Sequence, residues 1–416
     1  MKEYLERTES YLTGKLIPFW AGRVVEPKFG GFQTNYDRQG RRTAVTEKTL
    51  LCQGRALFTI AHALRHGFEW PGGREAMDQG IEFLRRFFRD AEHDGYYWIC
   101  EEDGRPKDAR KVVYGHSFLI YGLAEHGLLT GSADSRREAE RLFDLLAAKA
   151  ADFRHGGFFE QFDRAFNPVS ERPDGALHKS LDVHMHLMEA FTTLYQLTGL
   201  PRHRQALEQV MELIFDRMVD PETGVGVSIF SPSWQPMANL QLGAVWGSDR
   251  FERKAKPADI TSYGHNIELA WLYLHAMDAL GRPRQEGLAR VRRIFDHTFE
   301  RGVDREFGGL YVEGPRQGAA SETNKEFWQQ AEALVGFLDA YDLTQEKKFQ
   351  RAFRNVHDFV FKKMICWDQG EWYPLLDRQG AVVWDYMGHN WKICYHTVRA
   401  MVEVVLRLRR MGGRAG

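Results

Sequence analysis

Residues 29–32 read Phe29-Gly30-Gly31-Phe32, a short glycine and aromatic cluster that interrupts an otherwise helical pattern. Similar clusters recur five more times along the chain. One glycine from each marks its place, and these are Gly31, Gly95, Gly157, Gly224, Gly309 and Gly370. The intervals between them are 64, 62, 67, 85 and 61 residues. A repeat of this period indicates stacked supersecondary units that bury their apolar faces only together.

Two kinds of helical pattern alternate between the clusters. Amphipathic stretches with a charged face, typical of outer helices, cover residues 74–90, 135–150, 201–218, 284–299 and 345–363. Stretches that are apolar nearly all round, typical of buried inner helices, cover residues 49–66, 114–129, 181–198, 263–280, 326–341 and 391–408. This alternation predicts an all-α (α/α)6 barrel of six inner and six outer helices, with short β-hairpins or turns between repeats. An open helical solenoid is the alternative, but near-equal units favour closure.

Composition narrows the class of protein. Lys and Arg number 56 against 57 Asp and Glu, so no basic field exists to attract nucleic acid. No stretch of about 18 apolar residues occurs, and the charged start does not read as a signal peptide, so we expect a cytoplasmic chain without a membrane partner. No linker divides residues 1–416, which we interpret as one catalytic domain, either a monomer or a homodimer.

The cysteines and the aromatic residues support two separate predictions. Cys52, Cys100, Cys366 and Cys394 are far apart, so we expect buried free thiols rather than a zinc site or disulfides. The 11 Trp and 28 Phe suit a packed interior, and equally an apolar cleft for a sugar or another ring-shaped ligand.

Polar and aromatic residues gather near the start of every predicted inner helix. They are Arg55 in the first, Tyr114 and His116 in the second, His184, His186 and Glu189 in the third, His265 and Glu268 in the fourth, Trp328, Gln330 and Glu332 in the fifth, and Trp391, Lys392 and His396 in the sixth. Each alone has a structural explanation, such as a hydrogen-bonded core histidine or a buried ion pair. Because alternate helix starts in a closed ring face one mouth, their equivalent placement predicts a common pocket.

Two of these helices carry His-x-x-Glu. His186 and Glu189, like His265 and Glu268, are neighbours on one helical face. The carboxylate can hold the imidazole in one tautomer, whereas the same spacing is only a weak signal for a metal ion. Two imidazoles on opposite sides of a substrate carbon can remove and return a proton near neutral pH.

Six ordered blocks resemble the N-acylglucosamine 2-epimerase superfamily, and most closely its cellobiose 2-epimerase and mannose 2-epimerase branch. The blocks are Cys52-Gln53-Gly54-Arg55, Val113-Tyr114-Gly115-His116, Asp182-Val183-His184-Met185-His186, Tyr263-Gly264-His265-Asn266-Ile267-Glu268, Phe327-Trp328-Gln329-Gln330 and Trp391-Lys392-Ile393-Cys394-Tyr395-His396. The resemblance implies an isomerase that interconverts C2 epimers of unmodified sugars through a cis-enediolate, without a redox cofactor or metal.

The resemblance also implies roles for single residues. His265 and His396 would be the acid/base pair, while Arg55 and His186 would hold the enediolate oxygens and assist ring opening. The substrate-binding residues would be Tyr114, His116, Asp182, Glu268, Trp328 and Trp391. Asp182 stands where an amide is expected in these epimerases, which leaves open how the C2 and C3 hydroxyls are held.

The enlarged fourth unit is the second departure from the family pattern. Its surplus lies in residues 231–261, which form either a surface loop without a role or a lid over a small substrate. The leading hypothesis is a 2-epimerase that interconverts D-mannose and D-glucose, with the reducing end of β-1,4-disaccharides as a further substrate. The alternatives are an aldose-ketose isomerase that converts mannose to fructose, an (α/α)6 glycoside hydrolase with two catalytic carboxyls, and a non-catalytic sugar-binding scaffold.

Overall fold

The computed structural model describes residues 1–172, 174–240 and 255–413. It confirms the predicted (α/α)6 barrel of inner and outer helices. The inner helices are α3 (Leu50–Arg65), α5 (Val113–Thr130), α7 (Leu181–Thr198), α9 (Tyr263–Ala279), α11 (Phe327–Thr344) and α13 (Cys394–Gly413). Trp391 precedes α13 instead of opening it, so the predicted start of the sixth inner helix was wrong by three residues.

The outer helices lie on the inner ring. They are α1 (Lys2–Tyr11) with α2 (Ile17–Ala21), α4 (Gly73–Phe83), α6 (Ala133–Lys149), α8 (Pro201–Leu213), α10 (Arg284–His297) and α12 (Lys347–Phe359). A π-helical turn joins α1 to α2 and ends four of the others, at Leu12–Leu16, Leu84–Phe88, Ile214–Met218, Thr298–Gly302 and Val360–Met364. Inner helices are buried on nearly every face because they contact two inner neighbours and an outer helix.

Short antiparallel strands tie each unit to the next. In chain order they are β1 (Lys48–Thr49), β2 (Ile99–Cys100), β3 (Pro106–Asp108), β4 (Lys111–Val112), β5 (Gln161–Phe162), β6 (Lys179–Ser180), β7 (Ile229–Phe230), β8 (Asn239–Leu240), β9 (Ala255–Lys256), β10 (Ile260–Ser262), β11 (Glu313–Pro315), β12 (Lys325–Glu326), β13 (Ile365–Cys366), β14 (Glu371–Trp372), β15 (Leu375–Leu376) and β16 (Val382–Trp384). The strand before an inner helix pairs with one that follows the next glycine cluster, as β4 does with β5 and β6 with β7.

The ring closes between its first and last units. Each inner helix contacts the next, and α13 contacts both α3 and the first outer helix. Tyr36, which follows the first glycine cluster, forms a β-bridge with Gly388 ahead of α13, so the last unit repeats the strand pairing of the others. Trp20 donates to Glu371 across the same seam. These contacts exclude the open solenoid.

A buried lysine forms an ion pair in five of the six units. It stands two residues before the inner helix and pairs with a carboxylate at the preceding glycine cluster. The pairs are Lys48 with Glu26, Lys111 with Asp90, Lys179 with Asp152, Lys325 with Asp304, and Lys392 with Glu371. All five lysines are at most 1% exposed. The fourth unit differs, because Thr261 takes the lysine position and Asp220 pairs with Arg316 instead.

The enlarged fourth unit is described in part. Strands β8 and β9 pair with each other, and Lys256 forms a 2.7 Å ion pair with Glu313. Residues 241–254, the middle of the predicted lid, lie outside the described residues. Within the described ranges, none of the helices combines the length and apolar character that a membrane crossing requires.

Candidate active site

Six helix starts meet at one mouth of the barrel. Residues at the second, third and sixth positions of an inner helix share one face because neighbours on a helix lie three and four residues apart. These positions hold Arg55, Tyr114, Phe118, Asp182, His186, His265, Glu268, Trp328, Glu332, Tyr395, His396 and Arg399. The structure therefore brings together nine of the ten predicted site residues, with Trp391 joining them from the turn before α13 and His116 as the exception.

His265 and His396 both contact one aromatic ring. The Trp328 ring centroid is 4.7 Å from that of His265 and 5.8 Å from that of His396. His265 is 29% exposed at the mouth, whereas His396 is buried. An indole beside two imidazoles adds an apolar aromatic surface to the site, of the kind that suits a sugar ring.

Glu332 sets the tautomer of His396. Its Oε1 accepts from His396 Nδ1 at 2.7 Å, and because a carboxylate only accepts, Nδ1 carries the hydrogen. Burial and the nearby charges of Arg55 and Arg399 lower the pKa of His396 well below its ordinary value. The free imidazole is therefore neutral, with Nε2 available as a base.

Asp182 stands between two histidines. Its Oδ1 is 3.3 Å from His186 Nε2 and 3.5 Å from His265 Nε2. Burial disfavours the carboxylate, but the charges of His265 and His186 outweigh it and hold the pKa of Asp182 at about 2. Burial lowers the pKa of His265, and the Asp182 carboxylate opposes that shift. The carboxylate thus favours the protonated form of both rings.

His186 is the cation among the three imidazoles. Its Nδ1 bonds Glu189 Oε2 at 2.9 Å, as the His-x-x-Glu spacing predicts. Burial disfavours the imidazolium, yet the bonds to Asp182 and Glu189 outweigh it and raise the pKa of His186 to about 9. At neutral pH this ring carries a charge that can stabilise an oxyanion.

Arg399 joins three carboxyl groups beneath the mouth. Its guanidinium donates to Glu189, to Glu268 at 2.9 Å and to Glu332 at 2.7 Å, and also contacts the Tyr395 hydroxyl. The residue is 1% exposed. Through these bonds it orients the carboxylates that orient His186 and His396. None of the sequence patterns described above indicates Arg399, although an arginine one turn after His396 in an apolar helix is a usable signal.

Glu268 differs from the other carboxyls. Burial and the neighbouring charge of Glu332 raise the pKa of Glu268 to about 8. Its Oε1 accepts from Arg399, whereas Oε2 has no hydrogen-bond partner among the described residues. A protonated Glu268 leaves three carboxylates, on Asp182, Glu189 and Glu332, against the cations of Arg55, His186 and Arg399. The buried charges then balance, and Glu268 has a proton to donate.

Arg55 lines the wall between the first and last units. It donates to the carbonyl oxygen of Trp391 at 3.0 Å and to the Tyr114 hydroxyl at 3.2 Å. Its guanidinium also lies 4.4 Å from the Phe118 ring centroid, which fixes its plane. The buried Nε of Arg55 has no hydrogen-bond partner within the part of the chain that the structure describes. A fixed cation with a spare donor suits a developing oxyanion.

The structure does not bring His116 into the site. His116 is fully buried, its Nε2 accepts from the backbone N–H of Tyr96, and its Nδ1 donates to the carbonyl of Val112. Both ring nitrogens bond the backbone, which does not favour the predicted role in substrate binding. The fourth residue of five inner helices holds the adjacent glycine cluster in this way, and the five are Gln53, His116, His184, Asn266 and Gln330.

One group of site residues has the atoms to hold a metal ion. Glu268, Glu332 and His396 place one ligand atom each within 4.8 Å of one another. Arg399 donates to both glutamates and His396 Nδ1 bonds Glu332, so these groups are already bound to partners inside the protein.

Comparison with known proteins places this site in a family. A family model described as N-acylglucosamine 2-epimerase matches residues 30–400. With the closed ring of six helix pairs, this match defines an (α/α)6-barrel enzyme of the carbohydrate epimerase and isomerase class. The chain belongs to the N-acylglucosamine 2-epimerase family, as the six sequence blocks predicted.

Individual relatives cover the whole chain. It is 25% identical to the cellobiose 2-epimerase of Bacteroides fragilis, over 97% of this chain and 100% of the relative. It is 23% identical to the D-mannose isomerase of Marinomonas mediterranea, over 95% and 96%. The solved structure of cellobiose 2-epimerase from Spirochaeta thermophila superposes with a TM-score of 0.86 at 26% identity, covering 99% of this chain and 98% of that one.

Proposed function

We propose that the protein is a sugar 2-epimerase that interconverts D-mannose and D-glucose, and that it also accepts the reducing-end sugar of β-1,4-disaccharides. The observation that carries the proposal is that His265 and His396 both lie beside Trp328 in one mouth of the barrel. Similarity to cellobiose 2-epimerases supports the reaction at C2.

The reaction follows from the protonation of the two rings. Neutral His396 takes the C2 proton on Nε2, and the electron pair of that C–H bond moves into the C1–C2 bond as the carbonyl oxygen becomes an oxyanion. Arg55 and the His186 imidazolium hold the resulting cis-enediolate. His265 is also neutral before the reaction, because burial lowers its pKa; it takes a proton from solvent at the mouth, a step that the Asp182 carboxylate favours, and returns it to the opposite face of C2. In the reverse direction the two histidines exchange roles.

A second outcome uses the same enediolate. If the proton returns to C1 instead of C2, mannose becomes fructose, and similarity to a D-mannose isomerase favours this alternative. A hydrolase is disfavoured, since Glu189, Glu268 and Glu332 all bond Arg399 instead of facing each other across a free gap.

Product analysis in D2O with single-histidine variants tests the proposal. With mannose, we expect glucose as the main product of the unmodified protein, and mainly fructose would contradict the epimerase. His265→Ala and His396→Ala should each lower kcat/KM about 10²–10⁴-fold, because each removes one acid or base. His93→Ala, at a half-buried surface position outside the site, serves as the control.

The variants also separate the two roles. In His265→Ala, the remaining base can still take the C2 proton of one epimer and return deuterium to the same face. We therefore expect C2 deuteration of that epimer without inversion, and the mirror result in His396→Ala. Full epimerisation by either variant would contradict the two-base mechanism.

A further inference from the structure

A cavity lined by several charged groups opens at the mouth of the barrel opposite the candidate active site. It measures about 230 Å³ and is lined by groups from the C-terminal halves of the inner helices, among them His62, Glu125, His275 and Glu403. These groups lie about seven residues, or about 10 Å, beyond the ring of site residues along the helices. The proposed reaction uses none of them.

Three residues in this cavity have the geometry of a metal site. His62 and His66 are one turn apart on α3, with ring centroids 4.5 Å apart, and Glu125 faces them from α5. One ligand atom from each lies within 4.8 Å of the other two. Two imidazole nitrogens and a carboxylate oxygen are ligands that divalent zinc, nickel and cobalt accept.

The bond geometry around His62 fits an ion. Its Nδ1 is 2.9 Å from Glu125 Oε1, and two metal–ligand bonds of about 2.1 Å would span that gap at an angle of about 90°. His62 Nε2 lies 3.0 Å from Glu403 Oε1 on α13. A carboxylate on the second ring nitrogen is the usual way to orient a metal-binding histidine.

The surrounding cations keep these carboxylates in place. Arg65 binds Glu125 at 2.7 and 3.3 Å, and Arg407 contacts Glu403. A carboxylate has about four acceptor positions, so Glu125 can keep Arg65 and still offer a lone pair. A bound ion would take the place of the proton that His62 now shares with Glu125.

We propose that His62, His66 and Glu125 bind one divalent first-row transition-metal ion at this mouth, with Glu403 orienting His62. The ion would link α3 to α5 directly and to α13 through Glu403, and so fasten the seam where the ring closes. Its role would be structural, and the proposal does not depend on the reaction at the other mouth.

Zinc titration of the chelator-treated protein tests the site. We expect calorimetry to show one ion per chain and Tm to rise with zinc concentration, because a ligand that binds only the native state stabilises it. Visible absorption of a Co²⁺ complex would report nitrogen and oxygen ligation independently. Absence of saturable binding would overturn the proposal.

Matched variants locate the ion. His66→Gln should weaken zinc binding at least tenfold while leaving the metal-free Tm unchanged, since His66 is only half-buried. His93→Gln, at another half-buried histidine that lies outside the cavity, should bind zinc like the unmodified protein. Undiminished binding in His66→Gln would overturn the assignment, and so would loss of binding in Glu268→Gln, which would place the ion in the active site.

Discussion

At the scale of the residue, Asp182 affects the protonation of two histidines of the site at once. One carboxylate oxygen faces both His186 and His265 and favours the protonated form of each. An asparagine would keep the shape and the acceptor oxygen but lose the charge. The position therefore couples the ring proposed to hold the oxyanion to the ring proposed to return the proton.

Asp182→Asn should move the alkaline limb of the kcat/KM profile to lower pH. The pKa of His186, about 9, is raised in part by Asp182, so the neutral amide lets the ring lose its proton earlier. We expect a shift of about one pH unit, since an opposite charge at this distance changes a pKa by about 1–3 units. The exposed Asp134→Asn should leave the profile unchanged. An unmoved limb in Asp182→Asn would contradict the coupling.

How far sequence predicts the site also depends on single residues. His265 and His396 could be found because each lies near the start of a helix that is otherwise apolar nearly all round. Arg399 was missed because its partners Glu189, Glu268 and Glu332 come from three other helices. The sequence does not show that His116 lies apart from these residues, because a helix start has two sides, and only the fold shows which side a side chain takes.

At the scale of the element, the fourth residue of an inner helix works as an anchor for the glycine cluster. Glutamine serves in the first and fifth units, and histidine in the second and third. Gln330 even repeats the two bonds of His116, to a cluster N–H and to the carbonyl four residues earlier. The chain itself thus shows which substitution is conservative.

His116→Gln should keep stability, whereas His116→Leu should lose it. Leucine leaves the buried N–H of Tyr96 without an acceptor, which costs about 1–3 kcal/mol in the free energy of unfolding. Urea denaturation measures the difference. His116→Gln should also leave KM for mannose unchanged, and a severalfold rise in KM with intact stability would restore His116 to the substrate site.

The helices themselves were predictable to within a few residues because the apolar periodicity is strong. The π turns were not, since one extra residue in the last turn of an outer helix leaves no mark on that periodicity. The buried lysines were also missed. Lysine is usually exposed, and only alignment of the units shows five of them two residues before an inner helix.

At the scale of the whole molecule, closure gives every unit two neighbours. Lys392 lies at the seam between the last and first units, and Lys179 lies in the middle of the chain, yet both are fully buried and paired. In an open array the terminal unit would have one neighbour and could unfold by itself. In a ring the two positions are equivalent.

Lys392→Met and Lys179→Met should therefore lower the free energy of unfolding by similar amounts. Each leaves a buried carboxylate without its cation, which costs about 3–5 kcal/mol. Denaturation followed by tryptophan fluorescence and by circular dichroism should give one coincident transition for both. The exposed Lys347→Met should change little. A separate early transition in Lys392→Met alone would contradict closure as the source of stability.

The fourth unit, which has Thr261 in place of the buried lysine, has a consequence for protein engineering. Buried lysine ion pairs stabilise the five other units, whereas in the fourth unit Asp220 pairs with Arg316. Strands β8 and β9 pair with each other at the base of the long segment. The stretch between Leu240 and Ala255 contains none of the residues that form the five lysine pairs. The unit is thus a suitable graft point, where a loop from a related barrel can be transplanted to test whether this segment sets substrate size.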